Sequence, residues 1–588
     1  MERAPTSAKR SRYELRHAGR ASSGVALLLL AGTLVAGIDV RIEGLSGDEE
    51  DNVQAFLGIY QEREKKDLLD SRVERLHERA PDEIRESLAP FGHYRVQVDA
   101  ELTRGAEGDW VARYKVDPGP VVPLGTVDVQ ITGEAANEPG RPDLGVKSGK
   151  PLSHAEYEAA KAKLKAFARD RGYLDARFER SAVEVDVEAY RADVVLHLDS
   201  GPRYYFGEVR FDQDQFDPDF LRRFIDLQAG QTFRDADLLR LQGGLINTDY
   251  FSLVEVHPRV DRVSSDRQVP IDVKLVPNPP NRYRFGAGFG TDTGPRMSVD
   301  WTRRYIGREG HSANVELVLS TAIQRLEAGY RIPLADPRKE YVAFRTSAER
   351  YDTDSRKGAV FSVRGEHNTF YGDWQRILAL DYEYESPQDT DEGTYYNLIP
   401  GATWVWKTLD DAIYTKSGAR VDLRVIGAYE GLLSSSTFLQ GYARGKAVHS
   451  PMDDLRLIVR GEFGASAADS VLDIPPSRRF YAGGDNSVRG YQYEELSPVD
   501  SEGKKTGGRY LTTASVEVER RVTGDWFAAA FYDVGNAFDE PGEMDLKQAV
   551  GVGARWLSPV GLVRLDIAKG LDPQADDFRI HLVIGPDL

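Results

Sequence analysis

The residues of this chain best placed to do chemistry are one arginine and two aspartates. Arg489 stands in the run Phe480–Pro498, FYAGGDNSVRGYQYEELSP, where Gly, Asp, Asn and Ser mark a turn-rich loop. Asp533 lies in WFAAAFYDVGNAF, and Asp566 lies in VGLVRLDIA. Both segments alternate with the period of a strand. In the first, Trp526, Ala528, Ala530, Tyr532 and Val534 share one face, leaving Asp533 on the other with Phe527 and Phe531. In the second, Val563, Leu565 and Ile567 face one way, while Arg564 and Asp566 face the other. A guanidinium on a loop and carboxylates on a wall point to charge pairing. Asp533 is the first-choice partner of Arg489, and Asp566 is the second. Breaking such a buried pair from one side would cost about 3–5 kcal/mol, less in a hydrated space.

Bond-making chemistry finds no comparable set of residues. There is no cysteine, which removes thiolate nucleophiles and Cys-based zinc sites, and the ten histidines form no HExxH pair. No Ser and His stand out as a pair, so neither an enzyme nor a cofactor or metal is expected. The formal charge of -18, from 76 basic and 94 acidic residues, argues against a nucleic-acid partner.

The elements that would position Arg489 and the aspartates read as a barrel over residues 281–588. Long helical patterns stop there, and dyad alternation takes over, punctuated by Gly, Pro, Asp and Ser. Tyr283, Phe285, Ala287 and Phe289 share a face opposite Gly286 and Gly288; Met297, Val299 and Trp301 alternate with Ser298, Asp300 and Thr302. The length allows about 16 antiparallel strands, apolar on one face and polar on the other, as in an outer-membrane barrel. The closing strand is Phe578–Leu588, with Phe578, Ile580, Leu582 and Ile584 on one face.

Before the barrel, residues 38–278 repeat a plan in which one strand, two helical stretches and two closing strands follow in order. The units are predicted at 38–120, 121–202 and 203–278, and the VDPGP ending at Pro120 and LDSGP ending at Pro202 mark equivalent positions. Ser153 is a predicted N-cap, with Tyr157, Ala160, Leu164, Phe167 and Ala168 on one stripe behind it. Residues 1–37 read as a signal peptide: Arg3, Lys9, Arg10, Arg12, Arg16 and Arg20 precede the short apolar run Gly24–Ala36.

Together these parts resemble the outer-membrane assembly factors: a signal peptide, three α+β (βααββ) POTRA-like units and a 16-stranded barrel carrying GGDNSVRGY. The resemblance runs through the mature chain and is nearest to the TamA branch, the outer-membrane part of the translocation and assembly module. It implies a protein of the outer membrane, its POTRA units in the periplasm, that assembles or translocates β-barrel clients such as autotransporters. It implies that Val488, Arg489, Gly490 and Tyr491 form a loop lock with Asp533 or Asp566. A lateral seam is implied between Tyr283, Phe285, Gly286 and Gly288 on the first strand and Phe578, Ile580, Leu582 and Ile584 on the last. The partners implied are the lipid bilayer, unfolded outer-membrane protein clients and a TamB-like protein anchored in the inner membrane. A two-partner-secretion transporter, exporting an unfolded soluble client, is the alternative; its usual two POTRA units and plug helix fit this chain less well.

Overall fold

The computed structural model describes residues 38–585, apart from 66–67, 106–108, 293, 412–413, 559–560, 574 and 576–577. The predicted signal peptide therefore lies outside the described residues, as do residues 586–588 at the end of the predicted closing strand.

Three small sheets of three strands precede the barrel, and all share one order, in which the last strand in sequence lies in the middle. In the first unit Ile38–Glu43 runs parallel to the central Trp110–Asp117, and Gln97–Arg104 runs antiparallel to it. The helix Asp70–Leu88 covers this sheet because Val73, Leu76, Ala80, Ile84 and Leu88 recur at helical spacing and are buried. They pack with Ala112, Tyr114 and Val116 of the central strand.

The second unit repeats the sheet with Leu124–Thr132, Arg177–Asp186 and Arg191–Asp199. It departs from the two-helix plan. Only His154–Arg169 is an α-helix; the expected first helix is replaced by a single 3-10 turn, Gly133–Asn137. The segment that follows carries Pro139 and Pro142, and Gly140, Gly145 and Gly149 all take positive φ, so it cannot sustain helical hydrogen bonding. The helix that does form is capped as the sequence suggests: the Glu156 amide donates to Ser153 Oγ at 3.3 Å, and Tyr157, Ala160, Leu164, Phe167 and Ala168 are buried.

The third unit pairs Tyr205–Asp212 and Phe251–Pro258 with the central Gln268–Pro277, and adds helices Pro218–Arg222 and Asp235–Ile246. Its core is aromatic, with Phe206, Phe216, Phe220, Phe224, Phe233, Tyr250 and Phe251 buried, and it takes in Tyr305 from the barrel. The Tyr250 hydroxyl donates to the Gly310 carbonyl at 2.6 Å. Arg338 pairs with Asp226 at 2.8 Å. A Cβ on Gly310 would stand 2.1 Å from Phe220 Cζ, so glycine at that barrel turn lets the ring approach.

The barrel closes from Asn281–Gly290 to Arg579–Gly585 through sixteen antiparallel strands among the described residues. Its polarity is inverted relative to a soluble protein. Along Tyr510–Thr523, Ser515, Glu517 and Glu519 are buried while Val516 and Val518 are exposed; along Trp526–Phe538, Phe527, Phe531 and Asp533 are buried while Trp526 and Tyr532 are exposed. An apolar outer wall around a charged interior is stable only against lipid. No helix among the described residues is long and apolar enough to cross a membrane.

Candidate functional site

The segment between Leu455–Ala467 and Tyr510–Thr523 folds back into the barrel. Strand parity puts its origin at the end opposite the third POTRA-like unit. It has a small scaffold of its own: Phe480 bridges to Gly508 and Ala482 to Leu496. Phe480, Ala482, Val488, Tyr491 and Leu496 pack on Leu511, Ala537 and Ala549 of the wall. Gly490 must be glycine twice over. Its φ is +96°, and a Cβ there would meet the Gly570 backbone nitrogen at 2.8 Å. The Tyr491 hydroxyl donates to Asp572 Oδ2 at 2.7 Å.

Arg489 sits at the centre. Its Nε and Nη2 donate to the two oxygens of Asp533 at 2.8 and 2.9 Å, a fork-to-fork pair, and its own amide donates to the same carboxylate at 3.0 Å. Its Nη1 reaches Glu517 at 2.8 Å and Asp566 at 3.2 Å. The Phe531 ring lies 3.3 Å beneath the guanidinium. The structure thus brings both aspartates to the one arginine, with Asp533 as the principal partner.

A second arginine continues the network. Arg555, fully buried, pairs with Glu517 and Asp566 and donates to Glu519 at 2.9 Å. Arg456 pairs with Glu519 at 2.8 Å, and Arg460 approaches Asp533 at 3.5 Å. Arg456, Arg460, Arg489 and Arg555 therefore balance Glu517, Glu519, Asp533 and Asp566. Reasoning from sequence missed Glu517, Glu519, Arg456, Arg460 and Arg555. A signal was available for the first two: in ASVEVERR the acids alternate with valines, which puts them on the inner face.

The predicted seam residues fall on the first and last strands, except Phe578, which stands just before the last strand, Arg579–Gly585. Tyr283, Phe285, Phe578, Ile580 and Ile584 are exposed, Phe285 to 78%, on the lipid-facing wall. Leu582 is half-buried, and Gly286 and Gly288 lie between the exposed aromatics on the first strand. Among the described residues the two strands share one register pair, Gly290↔Val583. Their outer neighbours differ sharply: the last strand pairs with Gly561–Gly570 from Leu562↔Gly585 to Ala568↔Arg579, and the first with Gly294–Ile306 along its whole length.

A lipid-embedded barrel of sixteen strands, entered by an arginine-anchored loop and preceded by small α+β units, defines an outer-membrane protein with periplasmic domains. The chain belongs to the Omp85 superfamily, whose domain matches residues 280–587. POTRA domain TamA domain 1 matches residues 39–118, and the POTRA family described as surface antigen variable number repeat matches 138–201. The chain is 24% identical to the outer membrane protein assembly factor BamA of Nitratidesulfovibrio vulgaris, over 95% of this chain and 73% of that protein. It is 22% identical to BamA of Neisseria meningitidis serogroup B, over 67% of this chain and 57% of the other. The crystal structure of BamA from Haemophilus ducreyi lacking POTRA domains 1–3 superposes with a TM-score of 0.66 at 16% identity, covering 79% of this chain and 99% of that one. That likeness carries the barrel architecture.

Proposed function

We propose that this protein inserts β-barrel clients into the outer membrane, receiving unfolded chains at its POTRA sheets and passing them through a seam between its first and last barrel strands. The observation that carries this reading is the seam itself. A first strand paired along its whole length with the strand that follows it, and held to the last by one register pair among the described residues, offers backbone N–H and C=O groups to an incoming strand. A client strand that pairs there keeps its own backbone satisfied as it enters lipid. The driving force is burial of the client's apolar face, so no catalytic residue is required. The Arg489 network would brace the wall from inside while the seam parts. The TamA-type first POTRA match supports autotransporter barrels as clients and a TamB-like partner docking at the first unit.

The test is reconstitution into liposomes with an unfolded autotransporter barrel as client. Insertion faster than in empty liposomes, slowed by Arg489→Ala and halted by a Phe289→Cys/Ile584→Cys disulfide across the seam, is the expected result. Unchanged insertion with the disulfide closed would sink lateral passage. Failure to accelerate, with capture of an unfolded soluble chain in the lumen, would make the protein an exporter.

A further inference from the structure

The inserted loop makes a second set of contacts, separate from those of the Arg489 side chain, and they fall on both sides of the seam. Asp485 is their hub. Its amide donates to Asp292 Oδ2 at 2.5 Å, and its Oδ1 accepts from the Thr291 hydroxyl at 2.9 Å; both partners lie in the turn that leaves the first barrel strand. The same Oδ1 lies 2.6 Å from His581 Nδ1, on the last strand. His581 is 3% exposed, and its Nε2 lies 3.1 Å from the Gly490 nitrogen. An amide can only donate, so Nε2 accepts and Nδ1 carries the proton that goes to Asp485. Thr291 Oγ1 also accepts from the Leu582 amide at 3.3 Å, tying the turn directly to the last strand. Gly484 makes room for this, because a Cβ there would stand 2.5 Å from Asp292 Oδ2. All these contacts cluster beside Gly290↔Val583, the one register pair of the seam among the described residues.

We propose that Asp485, with Thr291, Asp292 and His581, is a clasp by which the inserted loop fastens the first barrel strand to the last, so that the seam parts when the loop lets go. The inference rests on the reading of the seam as the opening element. These four are positioning residues: they set how far apart the strands sit. They also join the two loop functions, because Gly490, next to Arg489, holds His581 from below while Asp485 holds it from the side. Withdrawing the loop would release Arg489 and the clasp together.

Asp292 gives the clasp a signature in pH. It is surrounded by Asp485, Tyr493, His581 and Arg579, and burial, reinforced by the Asp485 charge, pushes its carboxyl up to about 6. In an open seam it would return to the ordinary value of about 3.9. The closed form therefore holds a proton that the open form releases. This contribution to closure is complete below about pH 4 and is lost as pH rises through about 6.

The chain has no cysteine, so Phe289→Cys and Ile584→Cys can carry unique spin labels on either side of the seam in the otherwise native full-length protein. Distances are read in detergent or liposomes without client. The clasp requires a longer-distance population in Asp485→Ala and His581→Ala, with an open fraction raised about fivefold or more. It also requires that wild-type opening fall between about pH 7.5 and pH 5, and that Asp292→Asn abolish that trend. Unchanged distances in both alanine variants, or no pH trend in the wild type, overturn it. If Asp485→Ala fails to fold by heat-shifted gel mobility, Thr291→Val removes the hydroxyl with little change of shape and must lengthen the distance by itself. Because no client is present, failure of the clasp and failure of client insertion are read separately.

Discussion

Asp533, Glu517 and Asp566 converge on the Arg489 guanidinium, and without it they keep only Arg460, 3.5 Å from Asp533, and Arg555, which is shared between Glu517, Glu519 and Asp566. Arg489→Ala should thus destabilise the barrel by up to about 3–5 kcal/mol, reduced wherever water enters the lumen, and this is measurable as a lower midpoint of urea unfolding in detergent. Arg489→Lys should restore only part of the loss, because an ammonium cannot grip both Asp533 oxygens in one plane. Tyr491→Phe removes one hydroxyl donor from Asp572 and should cost about 1 kcal/mol in the same assay. At this scale the sequence was legible where parity was local. Asp533 and Asp566 could be assigned to the inner wall because their neighbours alternate cleanly. Arg555 could not, since in VGVGARWLS the glycines blur the pattern and its partners come from two other strands.

The elements differ in how much of their geometry is written nearby. Helix Asp70–Leu88 and the capped helix His154–Arg169 follow from their own stripes. The missing helix of the second unit was misread because a repeat was extended across Pro139, Gly140 and Pro142, residues that locally forbid it. The docking of the third unit was beyond local reading, for it depends on Tyr250 and Phe220 meeting a barrel turn far along the chain. That contact makes a sharp prediction. Gly310→Val forces a side chain into the Phe220 ring and should loosen the unit from the barrel, seen as faster proteolysis of the linker near Asn278 while the barrel itself keeps its heat-shifted gel mobility. Phe216→Ala, in the aromatic core of the same unit, should cost about 3–5 kcal/mol of that unit's stability by the same measurement.

For the whole molecule, the inverted polarity of the strands governs what substitutions cost. Val518 lies on the outer wall, between the inward Glu517 and Glu519. Val518→Arg should destabilise folding into liposomes by about 2–4 kcal/mol, measured by urea titration, if the residue sits near the bilayer midplane. The barrel was readable from sequence because each strand declares its two faces within a few residues. The pairing between the first and last strands was not, because it is a relation between chain ends far apart in sequence; among the described residues it is the register of Gly290 with Val583.

The alternation that builds this wall also decides how the chain reaches it. A strand such as Tyr510–Thr523 alternates valines with Glu517 and Glu519 and carries Arg520 and Arg521 near its end, so it never offers the run of ~20 apolar residues that would halt a nascent chain as a helix in the first bilayer it meets. Each half of its greasy surface stays hidden by interleaving until the strands pair. The export route thus sees a polar polypeptide, and the membrane protein comes into being only at its destination.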